Sequence, residues 1–235
     1  MGKLKGILFD LDGTLLPMDL STFTRAYFGL LIQYLITHGY QKEKVEEALG
    51  KGVTCMMAND GSKTNETAFW QVFHGIISQR NDETAIFETF YNTEFGKLRD
   101  VCGFDARAAL CVQKAREKAD KVILATNPLF PLTATEQRAA WAGCPASLFD
   151  YVTSFEHASF SKPNLNYYKK ILTKEKLNAE DCLMIGNDVD EDMVAAKLGM
   201  RVFLLTPCLI NRSERDLSDI PHGDFDDLLR FLDAI

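Results

Sequence analysis

Two carboxylates stand one residue apart where a short apolar run ends: Ile7-Leu8-Phe9 leads into Asp10-Leu11-Asp12-Gly13-Thr14. Side chains at i and i+2 of an extended segment point the same way, so a strand here aims Asp10 and Asp12 into one site at its carboxyl end. Open α/β sheets place their chemistry at that edge. Taken alone, the stretch fits equally well a strand followed by an Asp-Gly turn with solvated carboxylates.

Three later segments bear on that choice. A second apolar run, Lys121 to Thr126, ends in Thr126-Asn127-Pro128, where a hydroxyl and backbone N–H groups can donate to an anion. Lys162-Pro163-Asn164 precedes a helical pattern; Pro163 suits a first helical turn, and an ammonium just ahead of it would neutralise a carboxylate and a phosphoryl oxygen together. A fourth apolar run ends in Gly186-Asn187-Asp188-Val189-Asp190-Glu191-Asp192. Acids packed this tightly repel one another unless a cation or helix dipole compensates, and their oxygens suit Mg²⁺. Each segment has a plainer reading as turn former, surface charge or helix cap. Their convergence on one sheet edge favours a site.

In that order the segments resemble the motifs of the haloacid dehalogenase-like (HAD) superfamily, over residues 5–15 and about 104–206. Asp10-Leu11-Asp12-Gly13-Thr14 is similar to its first motif, Thr126 to its second, Lys162 to its third, and Gly186-Asn187-Asp188 with Asp192 to its acidic fourth. The resemblance implies a phosphatase in which Asp10 attacks phosphorus and Asp12 serves as acid and base. It implies that Thr126, Asn127 and Lys162 hold the phosphoryl group. It places Mg²⁺ on Asp10, the backbone of Asp12, and Asp188, with Asp192 beside it or ligating directly. The family's dehalogenases lack a carboxylate at the position of Asp12, because halide leaves without a proton. Phosphomutase and phosphonatase remain alternatives, the latter requiring a lysine such as Lys51 or Lys63. A binding or scaffolding protein on the same fold is the non-enzymatic alternative.

The elements that must position these groups follow from hydrophobic period. Residues 16–98 read as wholly helical. Ser21 is a candidate cap for a helix that Gly39 stops, a charged helix from Lys42 to Leu49 ends at Gly50-Lys51-Gly52, and Thr64 or Asn65 caps the next. A parallel crossover needs only one helix, so this excess predicts an all-helical cap, similar to the family's C1 type, inserted after the first strand of an α/β core. The core is a Rossmann-like open parallel sheet spanning residues 1–15 and 99–235. Five strands are expected, with helices over 104–118, 132–142, 164–172 and 190–198, and an irregular surface connection over 207–224. Within the cap, Arg25, Lys51, Lys63, Gln71 and His74 are the polar residues with a chance of reaching substrate.

A chain of 235 residues accommodates one α/β domain with an inserted lobe. The net charge of −7 and the want of any Lys/Arg cluster give no nucleic-acid-binding surface. Six scattered cysteines without a CxxC pair point to reduced thiols in a cytoplasmic setting. The basic lead-in and short apolar run do not make a signal peptide, since Asp10 and Asp12 interrupt it, and no stretch is long enough for a membrane span. The expected ligand is a small phosphorylated metabolite, and the expected assembly a monomer or homodimer.

Overall fold

The computed structural model describes residues 4–235. The first three, where the basic lead-in begins, lie outside the described residues. Six parallel strands form one open sheet in the order β3-β2-β1-β4-β5-β6. They are β1 (Leu4–Phe9), β2 (Ala119–Leu124), β3 (Tyr151–Val152), β4 (Cys182–Gly186), β5 (Arg201–Leu205) and β6 (His222–Gly223). The fold is Rossmann-like. β1 lies at the centre, and its two neighbours are reached by crossovers in opposite directions, which opens a crevice at their carboxyl ends.

Strand β1 is apolar on both faces because both are covered. Ile7 and Phe9 face one layer with α5 (Ala106–Lys118) and α8 (Phe225–Ala234), while Leu8 faces the other with α7 (Leu165–Glu175). Register sets the site: Phe9 pairs with Leu124 on one side and Ile185 on the other. All three strands therefore release the chain at one level. The residues immediately beyond are Asp10, Ala125-Thr126 and Gly186-Asn187.

Between β1 and α5 every element is helical: α1 (Leu20–Thr37), α2 (Lys42–Met57), α3 (Asn65–Ile76), α4 (Glu83–Thr89), a π-helical turn at Phe90–Glu94 and a 3₁₀ segment at Phe95–Val101. The remaining helix, α6 (Leu132–Trp141), joins β2 to β3. No helix among the described residues is long and apolar enough to cross a membrane. All six cysteines are free thiols.

Several local expectations need correction. Asp19, not Ser21, caps α1, its carboxylate accepting from Thr22 N at 2.7 Å and from the Ser21 hydroxyl at 2.7 Å. Thr64, rather than Asn65, caps α3. Helix α2 runs through Gly50 and Gly52 to Met57 instead of stopping at them. Gly52 is where α3 comes closest, since a Cβ there would lie 2.6 Å from the Phe69 ring. That packing offsets the roughly 1 kcal/mol a glycine costs inside a helix. Pro163 precedes α7 rather than opening it, because Asn164 is the cap and accepts from Asn166 N at 2.9 Å.

The helix expected over 190–198 is a 3₁₀ segment confined to Met193–Leu198. Its first acids instead form a turn, in which Asp188 Oδ1 accepts from the N–H groups of Asp190 and Glu191. Finally, the stretch 207–224 contains the sixth strand. Its two paired residues, next to Pro221, are too short to show a period of two.

Candidate active site

Asp10 is 7% exposed at the end of β1, and its backbone N–H still bonds to Ile185 across the β1–β4 pair at 2.9 Å. One carboxylate oxygen accepts from Lys162 Nζ at 2.8 Å and the other from the Thr14 hydroxyl at 3.1 Å. Gly13, at φ +83°, turns the chain back so that Thr14 can reach under Asp10; a Cβ at Gly13 would strike the Asn187 amide.

Lys162 is 1% exposed and also donates to Asp192 Oδ1 at 2.6 Å. Burial alone would push its ammonium down. The carboxylates of Asp10 and Asp192 reverse that and hold it well above the usual lysine range. Lys162 is therefore a fixed positive charge under the Asp10 carboxylate. Burial pushes the Asp192 carboxyl up, against the pull of Lys162. Its second oxygen accepts from Asp188 N at 3.0 Å, and Gly186 leaves room for that carboxylate where a Cβ would collide with it.

Asp12 has a different partner, one that was not foreseen. Its Oδ2 pairs with the guanidinium of Arg138, a wholly buried side chain on α6. Arg138 also donates to Ala134 O and to the Thr135 hydroxyl, both at 3.3 Å, and its guanidinium lies 4.2 Å from the centre of the Phe130 ring. The other oxygen of Asp12, Oδ1, is buried and has no hydrogen-bond partner among the described residues. Burial raises the Asp12 carboxyl above its ordinary range more than Arg138 lowers it, and Asp10 raises it further. A carboxyl held in this way is suited to carrying a proton to a leaving group and taking one from water. One signal for Arg138 existed in the sequence. It falls at i+4 from Ala134 and i+3 from Thr135, on the small-residue face that α6 buries.

At β2, the Thr126 carbonyl is anchored by the Thr153 hydroxyl at 2.7 Å and the Tyr167 hydroxyl at 2.8 Å. Asn127 uses its side chain as a brace: Oδ1 accepts from Lys162 N at 3.2 Å, and Nδ2 donates to Glu191 Oε2 at 3.0 Å. That leaves the backbone of Asn127 and the hydroxyl of Thr126 at the mouth of the strand, beside Asp10, in the wall of a common cavity.

Asp188 is buried, and its Oδ2 meets Arg212 Nη1 at 2.8 Å. Arg212 also escaped the sequence reading, lying in the stretch taken for a surface connection; its side chain is 58% exposed. Among the described residues no three His, Cys, Asp or Glu side chains are disposed to hold a metal ion together. Asp10 and Asp188 nevertheless form a hard oxygen pair of the sort that binds Mg²⁺ with waters and substrate oxygens. Asp192 accepts at one oxygen from Lys162 and at the other from Asp188 N, so it braces the lysine.

The cavity has a volume of about 750 Å³ and runs from Asp10, Asp12, Thr126 and Asp188 up to α1, α3 and α4. Of the five polar residues singled out within residues 16–98 from sequence, His74 alone is among those lining it. Its Nε2 lies 2.5 Å from Glu83 Oε1. Lys51 is tied to Glu47 at 2.6 Å and Lys63 to Gln71 at 2.7 Å, on the outer surface, where Arg25 is also exposed. Arg25, Lys51 and Gln71 sit on helix faces turned to solvent and Lys63 in the exposed bend before α3, a choice that helical period alone cannot make for a polar residue.

Six parallel strands with a buried Asp–Lys–Asp network at the switch point define a Rossmann-like α/β protein with its candidate site at the carboxyl edge of the sheet. Residues 4–199 match the model of the haloacid dehalogenase-like hydrolase family, and the chain belongs to that family. No curated protein matches it. Solved structures that share the fold include the 2-haloacid dehalogenase of Pseudomonas syringae pv. Tomato DC3000, with TM-score 0.65 and 17% identity over 98% of both chains. CbbY of Rhodobacter sphaeroides, solved in complex with phosphate, gives TM-score 0.59 and 18% identity, over 98% of this chain and 99% of that one. The proposed HAD-hydrolase YfnB of Bacillus subtilis, bound to magnesium, gives 0.57 and 14%, over 99% and 100%.

Proposed function

We propose that the chain is a Mg²⁺-dependent phosphomonoester hydrolase that works through an aspartyl-phosphate on Asp10. The observation that carries this reading is Asp12: a carboxylate aligned with Asp10, held at one oxygen by Arg138 and free at the other. Displacing an alkoxide from phosphorus requires a proton on the leaving oxygen, whereas displacing a halide does not. Asp12 has no task in a dehalogenase.

In the first half-reaction an Asp10 oxygen attacks phosphorus while Asp12 gives its proton to the departing alcohol. In the second, Asp12 takes a proton from water, which attacks the aspartyl-phosphate and releases phosphate. Lys162 orients Asp10 and offsets the repulsion between a carboxylate and a phosphate dianion, and Thr126 with the Asn127 backbone holds phosphoryl oxygens. Asp10, the Asp12 carbonyl and Asp188 would hold Mg²⁺, which supplies further charge neutralisation, with the exposed Arg212 giving up Asp188.

Residues 16–98 act as a cap over the sheet edge, excluding water and shaping the space for the leaving group. A phosphonatase would need a lysine from that segment, and Lys51 and Lys63 are engaged elsewhere. The test is phosphate release from a broad panel of monoesters with Mg²⁺, repeated with EDTA and with Asp10→Asn. Metal-dependent release that the variant lacks is expected. Release that persists undiminished in Asp10→Asn overturns the covalent route.

A further inference from the structure

The walls of the cavity limit what the leaving alcohol can be. Away from Asp10 they turn aromatic, with Tyr27 and Phe28 from α1, Phe69 and Trp70 from α3, Phe87 from α4, and Phe130 below them. The rings brace one another: Tyr27 and Phe130 sit 4.9 Å apart, Trp70 and Phe87 5.0 Å apart edge to face. Such walls offer aromatic surface to a bound group.

The charges on the same walls are one-sided. Glu66, Glu83, Glu88 and Glu156 line the cavity beyond the catalytic carboxylates. Among the described lining residues, the only basic side chains are His74 and Arg212. His74 is taken by Glu83 at 2.5 Å, and Arg212 stands at the Asp188 end of the cavity, 2.8 Å from that carboxylate. Glu66 and Glu156 share one stretch of wall, as the tie from Glu66 N to Phe155 O at 2.9 Å requires. Burial and the nearby Glu156 both raise the Glu66 carboxyl above its ordinary range. An anionic leaving group lodged among the rings would give up its water, meet carboxylates and gain no unpaired cation from α1, α3 or α4. An apolar or aromatic group would instead displace water from ring surfaces.

Resting on the phosphatase reading, we propose that the substrate is the monophosphate ester of a bulky, apolar or aromatic alcohol that carries no second anionic group. Hydrolysis breaks the phosphorus–oxygen bond to that alcohol, which leaves with a proton from Asp12; water supplies the oxygen and one proton of inorganic phosphate and returns its other proton to Asp12. Short phosphorylated acids and bisphosphates are excluded by the same walls.

Three probes test this with Mg²⁺ present: naphthyl phosphate, its ring-carboxylated analogue, and methyl phosphate, whose leaving group is too small to use the walls. Naphthyl phosphate should exceed the carboxylated ester by at least ~10-fold in kcat/KM, with most of the difference in KM. Glu66→Gln should narrow that ratio, and Trp70→Ala should lower kcat/KM for naphthyl phosphate more than for methyl phosphate. Turnover of the carboxylated ester equal to or better than the plain one overturns this proposal and leaves the phosphatase reading standing. Absence of hydrolysis for all three, methyl phosphate included, overturns the phosphatase reading and this proposal with it.

Discussion

At the sheet edge, Asp10, Lys162 and Asp192 are each less than a tenth exposed, and Lys162 bridges the two acids at 2.8 and 2.6 Å. Across the cavity, α3 and α4 meet through rings, such as Phe73 against Phe87 at 5.7 Å and Trp70 against Phe87 at 5.0 Å. A buried ion network has few acceptable geometries, because any displaced charge is left without a partner. Ring packing has more freedom, since neighbouring side chains can readjust with a modest loss. The edge is therefore built to fix atoms, and the helices to shape a volume. Substitutions at the two places should differ in kind: those at the edge act on turnover, those in the helices on stability and on KM.

The contrast breaks first at Asp10 if it is wrong. Asp10→Asn keeps the side-chain volume and, through its one oxygen, the bond from Lys162, so the fold should persist while turnover drops by more than about a thousandfold. Lys162→Met should follow closely, with Asp10 and Asp192 left facing each other without their shared cation. Steady-state phosphate release and a thermal melt on each variant check both halves. A folded Asp10→Asn protein with substantial activity would show that the edge is structural only.

Arg138 sharpens the comparison because it belongs to both sides, paired with Asp12 yet packed on Phe130. Arg138→Met leaves a buried carboxylate unpaired, for which a cost of about 3–5 kcal/mol is typical, limited here by the readiness of Asp12 to take a proton. Both kcat and the melting temperature should fall. Arg138→Lys keeps the charge but loses the planar fork and its stacking, and should lie between the two. Equal kcat in wild type and both variants would remove Arg138 from the positioning of Asp12.

Among the helices the largest effect should come at Gly52. Gly52→Val pushes a side chain into the Phe69 ring, an overpacking that costs about 1–3 kcal/mol. A lower melting temperature and a raised KM with little change in kcat are expected. A fall in kcat matching that of Lys162→Met would erase the distinction between the two regions.

What was legible in the sequence follows the same division. Asp10, Asp12 and Thr14 belong to one local stretch whose geometry is set by a strand and a turn, so spacing alone places them together. Thr126, Lys162 and Asp188 could be placed because each falls just after an apolar run or just before a helical pattern, and strand ends meet at one edge of a parallel sheet. Arg138 lies 126 residues from Asp12, and no local pattern pairs them. Gly50 and Gly52 read as stops because the close approach of Phe69, which explains Gly52, comes from another helix. β6 was hidden because two residues show no alternation. Which polar residues of a helical segment face a cavity depends on how its helices are rotated, and that is fixed by ring contacts between distant positions.

The smallest expected effect tests that last point. Lys51 sits on α2 with its ammonium 2.6 Å from Glu47, side chain 64% exposed, away from the cavity. Exposed pairs of this kind contribute little, because water screens them and ordering two long side chains is costly. Lys51→Ala, and likewise Lys63→Ala, should leave kcat, KM and the melting temperature indistinguishable from wild type. A large rise in KM for either would mean that the helical segment swings over during turnover far enough to bring that lysine to the substrate. In that case the helices would contribute a charge to the reaction, and their role would no longer be one of shape alone.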